Sequence, residues 1–156
     1  MRKNKFFYSV TIGLGLSLIL AASAAQATLG GPAGSIKSDA SALRGARRTV
    51  RTQKNYTIHE ITTAAVTIRE YVSPGGVVFG IAWNGIAYPD LTKLLGCYAG
   101  EYAEARRRMP RAHGRKPLRV KTGNIVVEKW GHMRDLHGRA YVPALIPDGV
   151  SASDIR

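Results

Sequence analysis

The chain has 156 residues, with 23 Lys and Arg against 10 Asp and Glu, and its formal net charge is +13. A chain of this length forms one basic domain rather than several. The single Cys excludes a disulfide-stapled miniprotein. The 17 Gly and 7 Pro follow no strict period and 45% of the residues are hydrophobic, which excludes a collagen-like or wholly disordered chain.

The first 27 residues have the pattern of a secretory signal peptide. Three basic residues are followed by an apolar stretch over residues 6–22, and residues 25–27 read Ala-Gln-Ala, the small-x-small pattern of a cleavage site. We therefore predict cleavage after Ala27 and an exported protein, periplasmic or extracellular, without a transmembrane segment after cleavage. An uncleaved anchor is the alternative, because residues 6–25 could nearly span a bilayer core of about 30 Å.

The rest of the chain predicts one domain between two simpler segments. Residues 28–45 are rich in Gly, Ala and Ser and predict a flexible lead-in, residues 46–146 a single folded domain, and residues 147–156 a turn-rich peripheral tail. Cys97 has no partner cysteine in the chain, so we expect a half-buried, small apolar side chain there.

Residues 48–61, 66–72 and 77–83 have the composition of strands. The segment over residues 63–65 separates the first two. Residues 73–76 separate the last two and contain a Pro-Gly pair that is typical of a tight turn. These boundaries predict two consecutive antiparallel hairpins.

Two-residue turns would determine the register of both hairpins. Closing the first at its Ala-Ala pair places His59 opposite Glu70, and closing the second at Pro-Gly places Glu70 opposite Phe79 and Val72 opposite Val77. One face is then predicted to carry the core, and His59 and Glu70 lie on it. Its apolar residues are Ile61, Val66, Ile68, Val72, Val77, Phe79, Ile81 and Trp83.

From Asp90 to Arg108 the apolar period changes to that of an amphipathic helix. Asp90 can cap its start, and Met109-Pro110 ends it. The apolar stripe that should cover the sheet consists of Leu91, Leu94, Leu95, Tyr98, Tyr102 and Ala105.

Residues 118–121, 125–130 and 135–142 predict three further short strands. The order strands, helix, strands predicts an α+β fold: a curved antiparallel sheet of about six strands packed on one long amphipathic helix.

Several segments together resemble a known bacterial family. They are Thr28-Leu29-Gly30-Gly31, Arg48-Thr49-Val50, Tyr56-Thr57-Ile58-His59-Glu60, Arg69-Glu70-Tyr71-Val72-Ser73-Pro74, Pro89-Asp90-Leu91, Gly131-His132-Met133-Arg134 and Gly138-Arg139-Ala140-Tyr141. The sequence resembles the family called domain of unknown function 2844 over nearly the whole chain after the leader. The resemblance implies a bacterial exported protein and brings no activity, cofactor or catalytic residue.

His59 and Glu70 are the candidate catalytic pair, because a carboxylate beside an imidazole on an apolar face can serve as an orienting group and a base. With His132 as a third candidate, they would suit a small exported hydrolase. The alternative is a structural ion pair at the rim of the sheet. The sequence has no nucleophile elbow, no Cys beside a His and no phosphate-binding loop, so we favour a protein without catalytic activity.

His132, Met133 and His137 are side-chain types that bind copper. Five residues along one strand would send the two imidazoles to opposite faces, so the spacing does not predict a metal site. We expect neither a metal nor another cofactor.

The strongest charge feature is the segment from Arg106 to Lys121, which we call the basic connector. It holds eight basic residues and no acidic one: Arg106, Arg107, Arg108, Arg111, Arg115, Lys116, Arg119 and Lys121. Such a segment attracts polyanions, which around an exported bacterial protein include envelope polymers and lipid headgroups. No aromatic residue lies within it, so specific nucleic-acid binding is not predicted. A solvated loop that aids solubility is the alternative.

These features favour a non-catalytic envelope protein that binds an anionic polymer, lipid headgroups or an unidentified protein partner. The hydrolase is the second hypothesis. A third is a periplasmic assembly factor or chaperone whose sheet edge accepts a client strand.

Overall fold

The computed structural model describes residues 28–33, 47–110 and 117–156, so the predicted signal peptide lies outside the described residues. Seven strands are described: β1 (Arg47–Thr52), β2 (Thr57–Thr62), β3 (Val66–Val72), β4 (Val78–Gly85), β5 (Leu118–Lys121), β6 (Val126–His132) and β7 (Asp135–Tyr141). They form one antiparallel sheet in the order β1-β2-β3-β4-β7-β6-β5. The predicted α+β class is confirmed, with seven strands rather than six.

The additional strand arises where the sequence predicted one strand over residues 48–61. The chain turns back between β1 and β2, where the Gln53 amide donates to the Tyr56 carbonyl oxygen at 2.8 Å. Asn55, a residue type favoured in turns, lies inside this turn. Strands in globular proteins are usually shorter than about 10 residues, so a 14-residue stretch is better accommodated as a hairpin.

The register predicted for β2 and β3 is confirmed: His59 lies opposite Glu70, and Ile61 lies opposite Ile68. The two-residue turn is closed by a hydrogen bond of 2.9 Å from the Thr63 amide to the Val66 carbonyl oxygen. The Thr63 hydroxyl also accepts from the Val66 amide at 3.1 Å. Both hydrogen bonds join residues of the turn itself, so the turn stabilises the register of the hairpin.

The register predicted for β3 and β4 is wrong by two residues, since Glu70 lies opposite Ile81 rather than Phe79. The connection is longer than a two-residue turn because Gly76 adopts a left-handed conformation with φ of 76°, and a bulge follows between Tyr71 and Val72. A shift of two keeps Ile81 on the predicted core face. The bulge instead places Phe79 on the other face.

The helical segment covers one face of the sheet, which we call the helix face. It consists of α1 (Leu91–Leu95), a 3-10 turn over Gly96–Tyr98, and α2 (Ala99–Arg108). Asp90 caps the start as predicted, since its carboxylate accepts from the Thr92 amide at 3.0 Å. All six residues of the predicted apolar stripe pack in the core of this face, which includes Ile68, Val72, Ile81, Trp83, Val120, Val127 and Ala140.

The opposite face has a second apolar cluster, and the C-terminal segment over residues 143–156 covers it. Phe79 packs there with its ring centroid 6.1 Å from that of Tyr56 and 6.2 Å from that of Tyr71. Ile155 is fully buried in the same cluster, and the Tyr71 hydroxyl donates to the Arg156 carbonyl oxygen at 2.6 Å. The tail is therefore part of the core and not peripheral as predicted, because this face of the sheet also needs an apolar cover.

The first residues after the predicted cleavage site are also structured, which differs from the expected lead-in. Leu29 is 0% exposed and packs in the core of the helix face. Its amide donates to the Leu94 carbonyl oxygen at 2.9 Å, and the Gly30 amide donates to that of Val78 at 2.8 Å. Residues 34–46, the remainder of the predicted lead-in and the first residue of the predicted domain, lie outside the described residues.

Two further observations concern the surface. Cys97 is exposed, whereas the sequence predicted a half-buried residue, because the turn over Gly96–Tyr98 directs it away from the core. Within the described ranges, no helix combines the length and apolar character needed to cross a bilayer.

Candidate functional site

An open groove of about 740 Å³ lies at one end of the sheet, and we call it the hairpin groove. It lies beside the turn between β6 and β7 and draws residues from β4–α1, α2, β5, β6 and β7. Its lining consists of Ile86, Tyr88, Arg106, Pro117, Leu118, Lys129, Trp130, Gly131, His132, Met133, Arg134 and Leu136. Recesses of 300–1,000 Å³ are typical of small-molecule and cofactor sites.

The β6–β7 hairpin forms the outer wall of this groove. His132 lies opposite Asp135, which leaves Met133 and Arg134 as the loop. Arg134 has a φ of 66°, the single positive value for a non-glycine residue in the described ranges. A left-handed conformation costs an L-residue with a Cβ about 1–2 kcal/mol. The hairpin tip therefore holds a charged residue at a position where glycine or asparagine would be less strained.

Gly131 makes the tight approach of the two strands possible. Its φ is 111°, and a Cβ there would come within 2.1 Å of the Asp135 carbonyl oxygen. Glycine is required because any other side chain would collide with the backbone of β7. Gly131 therefore determines the backbone geometry of the hairpin tip.

The hairpin groove is lined by most of the large hydrophobic residues that are exposed in the described ranges. Four of the five large hydrophobic side chains that are exposed in the described ranges line it: Ile86 at 56%, Tyr88 at 45%, Trp130 at 38% and Met133 at 83%. Single exposed apolar residues are common on soluble proteins, whereas clustered ones mark interaction sites.

The same groove is electropositive. Arg106, Lys129 and Arg134 line it together with His132, and none of its lining residues is acidic. The Lys129 ammonium lies 5.0 Å from the centroid of the Tyr88 ring, a distance at which a cation and an aromatic face attract each other. The groove thus combines cationic, aromatic and aliphatic groups.

The described basic residues of the connector do not form one continuous surface. Arg106 lines the hairpin groove, while Arg107 is exposed nearby and Arg108 forms an ion pair with Glu104 one helical turn earlier. Arg119 and Lys121 alternate with Val120, whose side chain is in the core of the helix face, so they lie on the opposite face. Arg111, Arg115 and Lys116 lie outside the described residues.

One basic residue of the connector is already paired within the sheet. The Arg119 Nε lies 3.1 Å from Glu128 Oε1, and Arg139 pairs with the other oxygen of the same carboxylate. Arg119 therefore contributes to a charge network across β5, β6 and β7. Among the described basic residues of the connector, Arg106 is the one that lines the hairpin groove together with Tyr88 and Trp130.

His59 has a hydrogen-bond partner that the sequence did not suggest. Arg48 Nη2 donates to His59 Nδ1 at 2.8 Å, while Glu70 lies opposite His59 in the register and is buried. Burial, and secondarily the positive charge of Arg48, lowers the pKa of His59 below its ordinary value of 6.5. Both causes favour the neutral imidazole, which can accept the hydrogen bond from Arg48 at Nδ1.

The third catalytic candidate lies elsewhere. β2 and β6 are separated by β3, β4 and β7, so the two strands lie about 19 Å apart across the sheet, and His132 is further displaced along β6, since the residue aligned with His59 is Val127. His132 lines the hairpin groove, whereas His59 and Glu70 do not. The structure does not bring the three candidates into one catalytic arrangement.

His132 and His137 are closer than the sequence suggested, and the prediction that they point to opposite faces is wrong. They lie on the two arms of the β6–β7 hairpin rather than along one strand, and both approach Asp135. His137 Nε2 is 2.7 Å from Asp135 Oδ1, and His132 Nε2 is 3.8 Å from Oδ2. Within the described ranges, no group of three or more His, Cys, Asp and Glu residues is arranged to hold a metal ion.

The sequence pattern alone predicts no site at the groove. Trp130 lies in a predicted strand, and Met133 is of a side-chain type that can bind copper. Ile86 and Tyr88 are the residues with the clearest sequence pattern, because they are apolar and lie between the end of a strand and a helix cap. Apolar residues in such a connection stay exposed when no other element of the fold covers them.

The comparisons with known proteins identify a family. A family model described as a protein of unknown function, DUF2844, matches residues 25–155, which include all but the last of the described residues. No curated protein and no solved structure gives a significant match to the chain. The chain therefore belongs to DUF2844, a family of proteins of unknown function.

Proposed function

We propose that this protein is an exported, non-catalytic binding protein that holds an anionic component of the bacterial envelope in the hairpin groove. The observation that carries the proposal is the composition of the lining. Arg106, Lys129 and Arg134 line the groove together with exposed aromatic and aliphatic residues, and the lining contains no acidic residue.

The charge distribution favours an anion over a neutral or cationic ligand. Long basic side chains at a water-filled groove attract phosphate or carboxylate groups through several weak contacts rather than through one buried ion pair. Exposed charges are screened at a Debye length of about 8 Å at physiological ionic strength, so binding of this kind weakens with added salt.

Export is supported by the pattern of the first 27 residues, which places a small-x-small sequence immediately before Thr28. An exported protein without a disulfide must be stabilised by its core. The two apolar clusters on the two faces of the sheet are suited to that requirement.

A binding role is favoured over hydrolysis by the positions of the candidate residues. His59 accepts a hydrogen bond from a neighbouring arginine, and His132 is several strands away. His132 lies 3.8 Å from Asp135 Oδ2, but the lining of the groove contains no Ser, Thr or Cys nucleophile that this pair could activate.

The proposal is tested by retention of the purified protein on an anionic matrix such as heparin. The groove variant Arg106→Gln/Lys129→Gln/Arg134→Gln removes three positive charges. The matched control Arg51→Gln/Lys54→Gln/Lys121→Gln removes three from exposed positions outside the hairpin groove.

We expect the wild-type protein to elute only at elevated salt, the control variant to elute slightly earlier, and the groove variant to elute at clearly lower salt. Equal elution of the two variants would show that net charge alone determines retention. That result, or an unretained wild-type protein, would remove the proposal.

A further inference from the structure

We infer that the ligand of the hairpin groove is an anionic lipid bilayer surface, into which the tip of the β6–β7 hairpin inserts Met133 and Trp130. This inference rests on the proposed function and adds to it the class of ligand and the mode of contact. It is argued from the apolar residues, the charges and the backbone of the hairpin tip.

The apolar side chains at the tip differ in how far the fold covers them: the Trp130 ring stacks on the His137 ring with centroids 6.0 Å apart and stays 38% exposed, whereas Met133 is 83% exposed. Met133 occupies the two-residue loop and is the most exposed of the large hydrophobic residues described. Trp130 lies near the end of β6, and Tyr88 and Ile86 of the β4–α1 connection line the same groove. Tryptophan and tyrosine favour the interface between headgroups and acyl chains, because one part of the ring is apolar and another donates a hydrogen bond.

The charges around the tip match an anionic surface. Arg134 adjoins Met133 in the loop, and Lys129 and Arg106 line the groove behind it. Their long side chains can keep the charged group among phosphates while the aliphatic part lies against apolar surface. Asp135, the acidic residue at the base of the loop, is 2.7 Å from His137 and is not part of the groove lining.

The backbone of the tip supports the same contact. Arg134 adopts a left-handed conformation that glycine adopts more easily. The sequence therefore has a guanidinium at a position where the backbone favours glycine. Departures from local conformational preference cluster at functional positions. A cation at the outermost turn is suited to meeting headgroup phosphates as the hairpin approaches.

A soluble anionic polymer is the other source of phosphate or carboxylate groups, and it makes a different demand. Polymer binding needs the basic side chains but gains little from Met133, which projects into solvent. Membrane insertion needs both. The role of Met133 therefore separates the two ligands.

The test uses the chain expressed with its leader and purified, with its N-terminus determined by mass spectrometry. It is mixed with vesicles of 30% phosphatidylglycerol in phosphatidylethanolamine, and in parallel with phosphatidylcholine vesicles. Two Trp residues are present, of which Trp83 is buried, so a change in emission reports on Trp130.

We expect a blue shift of the emission and quenching by brominated acyl chains with the anionic vesicles only. Trp130→Phe should remove the blue shift. Met133→Asp should weaken vesicle binding by about tenfold or more, whereas Met133→Leu, which keeps an apolar side chain, should bind like the wild type.

Three results would overturn the inference. If the wild-type protein is retained on heparin with the dependence on groove charge described above but does not bind the vesicles, the inference is wrong and the proposed function stands. Equal vesicle binding by Met133→Asp and Met133→Leu would place membrane contact elsewhere. Loss of both heparin retention and vesicle binding in the wild type would remove the proposed function and the inference together.

Discussion

Replacement of Leu29 by Ala tests whether the segment directly after the predicted cleavage site belongs to the core. Leu29 is completely buried in the cluster of the helix face, beside residues such as Val78 and Leu95. Its backbone is held by a hydrogen bond to Leu94 at 2.9 Å, and that of Gly30 by one to Val78 at 2.8 Å. The chain around a truncated side chain therefore has little freedom to collapse into the cavity.

Leu→Ala substitutions in cores cost about 2–5 kcal/mol, and sites that cannot relax lie in the upper part of that range. We expect a decrease of about 3–4 kcal/mol in the free energy of unfolding. For a domain of this size the melting temperature falls by roughly 3–5 °C per kcal/mol, which gives a decrease of about 9–20 °C.

The assay is thermal and urea unfolding followed by circular dichroism. Met133→Ala is the matched control, because it truncates an apolar side chain of similar size that is exposed, and it should change stability by less than about 0.5 kcal/mol. A Leu29→Ala protein as stable as this control would refute the conclusion that residues 28–33 are part of the core.

Three further substitutions test other parts of the structure. Gly138→Ala should lower the free energy of unfolding by about 1–3 kcal/mol, because its Cβ would come within 2.3 Å of the Trp83 ring. Gly123→Ala is the control, since nothing lies within 4 Å of its Cβ, and urea unfolding should show no such loss. The pKa of His59 is lowered in the folded protein, so the unfolded chain binds more protons as the pH falls below about 6.5. Stability should then decrease as the pH falls through this range. His59→Gln should reduce that decrease in melting curves between pH 5 and pH 8. An unchanged pH dependence of the melting temperature would contradict the lowered pKa of His59. Arg134→Gly removes a strained left-handed residue, so unfolding should show unchanged stability or a gain of up to about 1 kcal/mol, while heparin elution should move to lower salt; a loss of stability would contradict the strain.

Local features of the fold could be predicted from the sequence. The start of α1 follows from a capping residue, and the register of β2 with β3 follows from a two-residue turn whose hydrogen bonds lie within four residues. The register of β3 with β4 was wrong because it depends on a left-handed Gly76 and a bulge, which the Pro-Gly pair alone does not reveal.

Features that depend on distant segments were not predicted. The burial of Leu29 and Ile155 follows from the need to cover both faces of the sheet, which neither terminal segment shows in its own composition. The hairpin groove likewise brings Ile86, Trp130 and Arg106 together from separate elements. The sequence showed a strong positive charge, whereas only the folded chain shows which of the basic side chains adjoin exposed aromatic residues.

The most direct test of the proposed binding site is an amide chemical-shift titration with short-chain phosphatidylglycerol below its micelle concentration. The account predicts that the shifts concentrate in residues 86–88 and 129–134, at the hairpin groove, and that they diminish with added salt. Shifts centred instead on Arg119 and Lys121, or spread evenly over the basic surface, would contradict it.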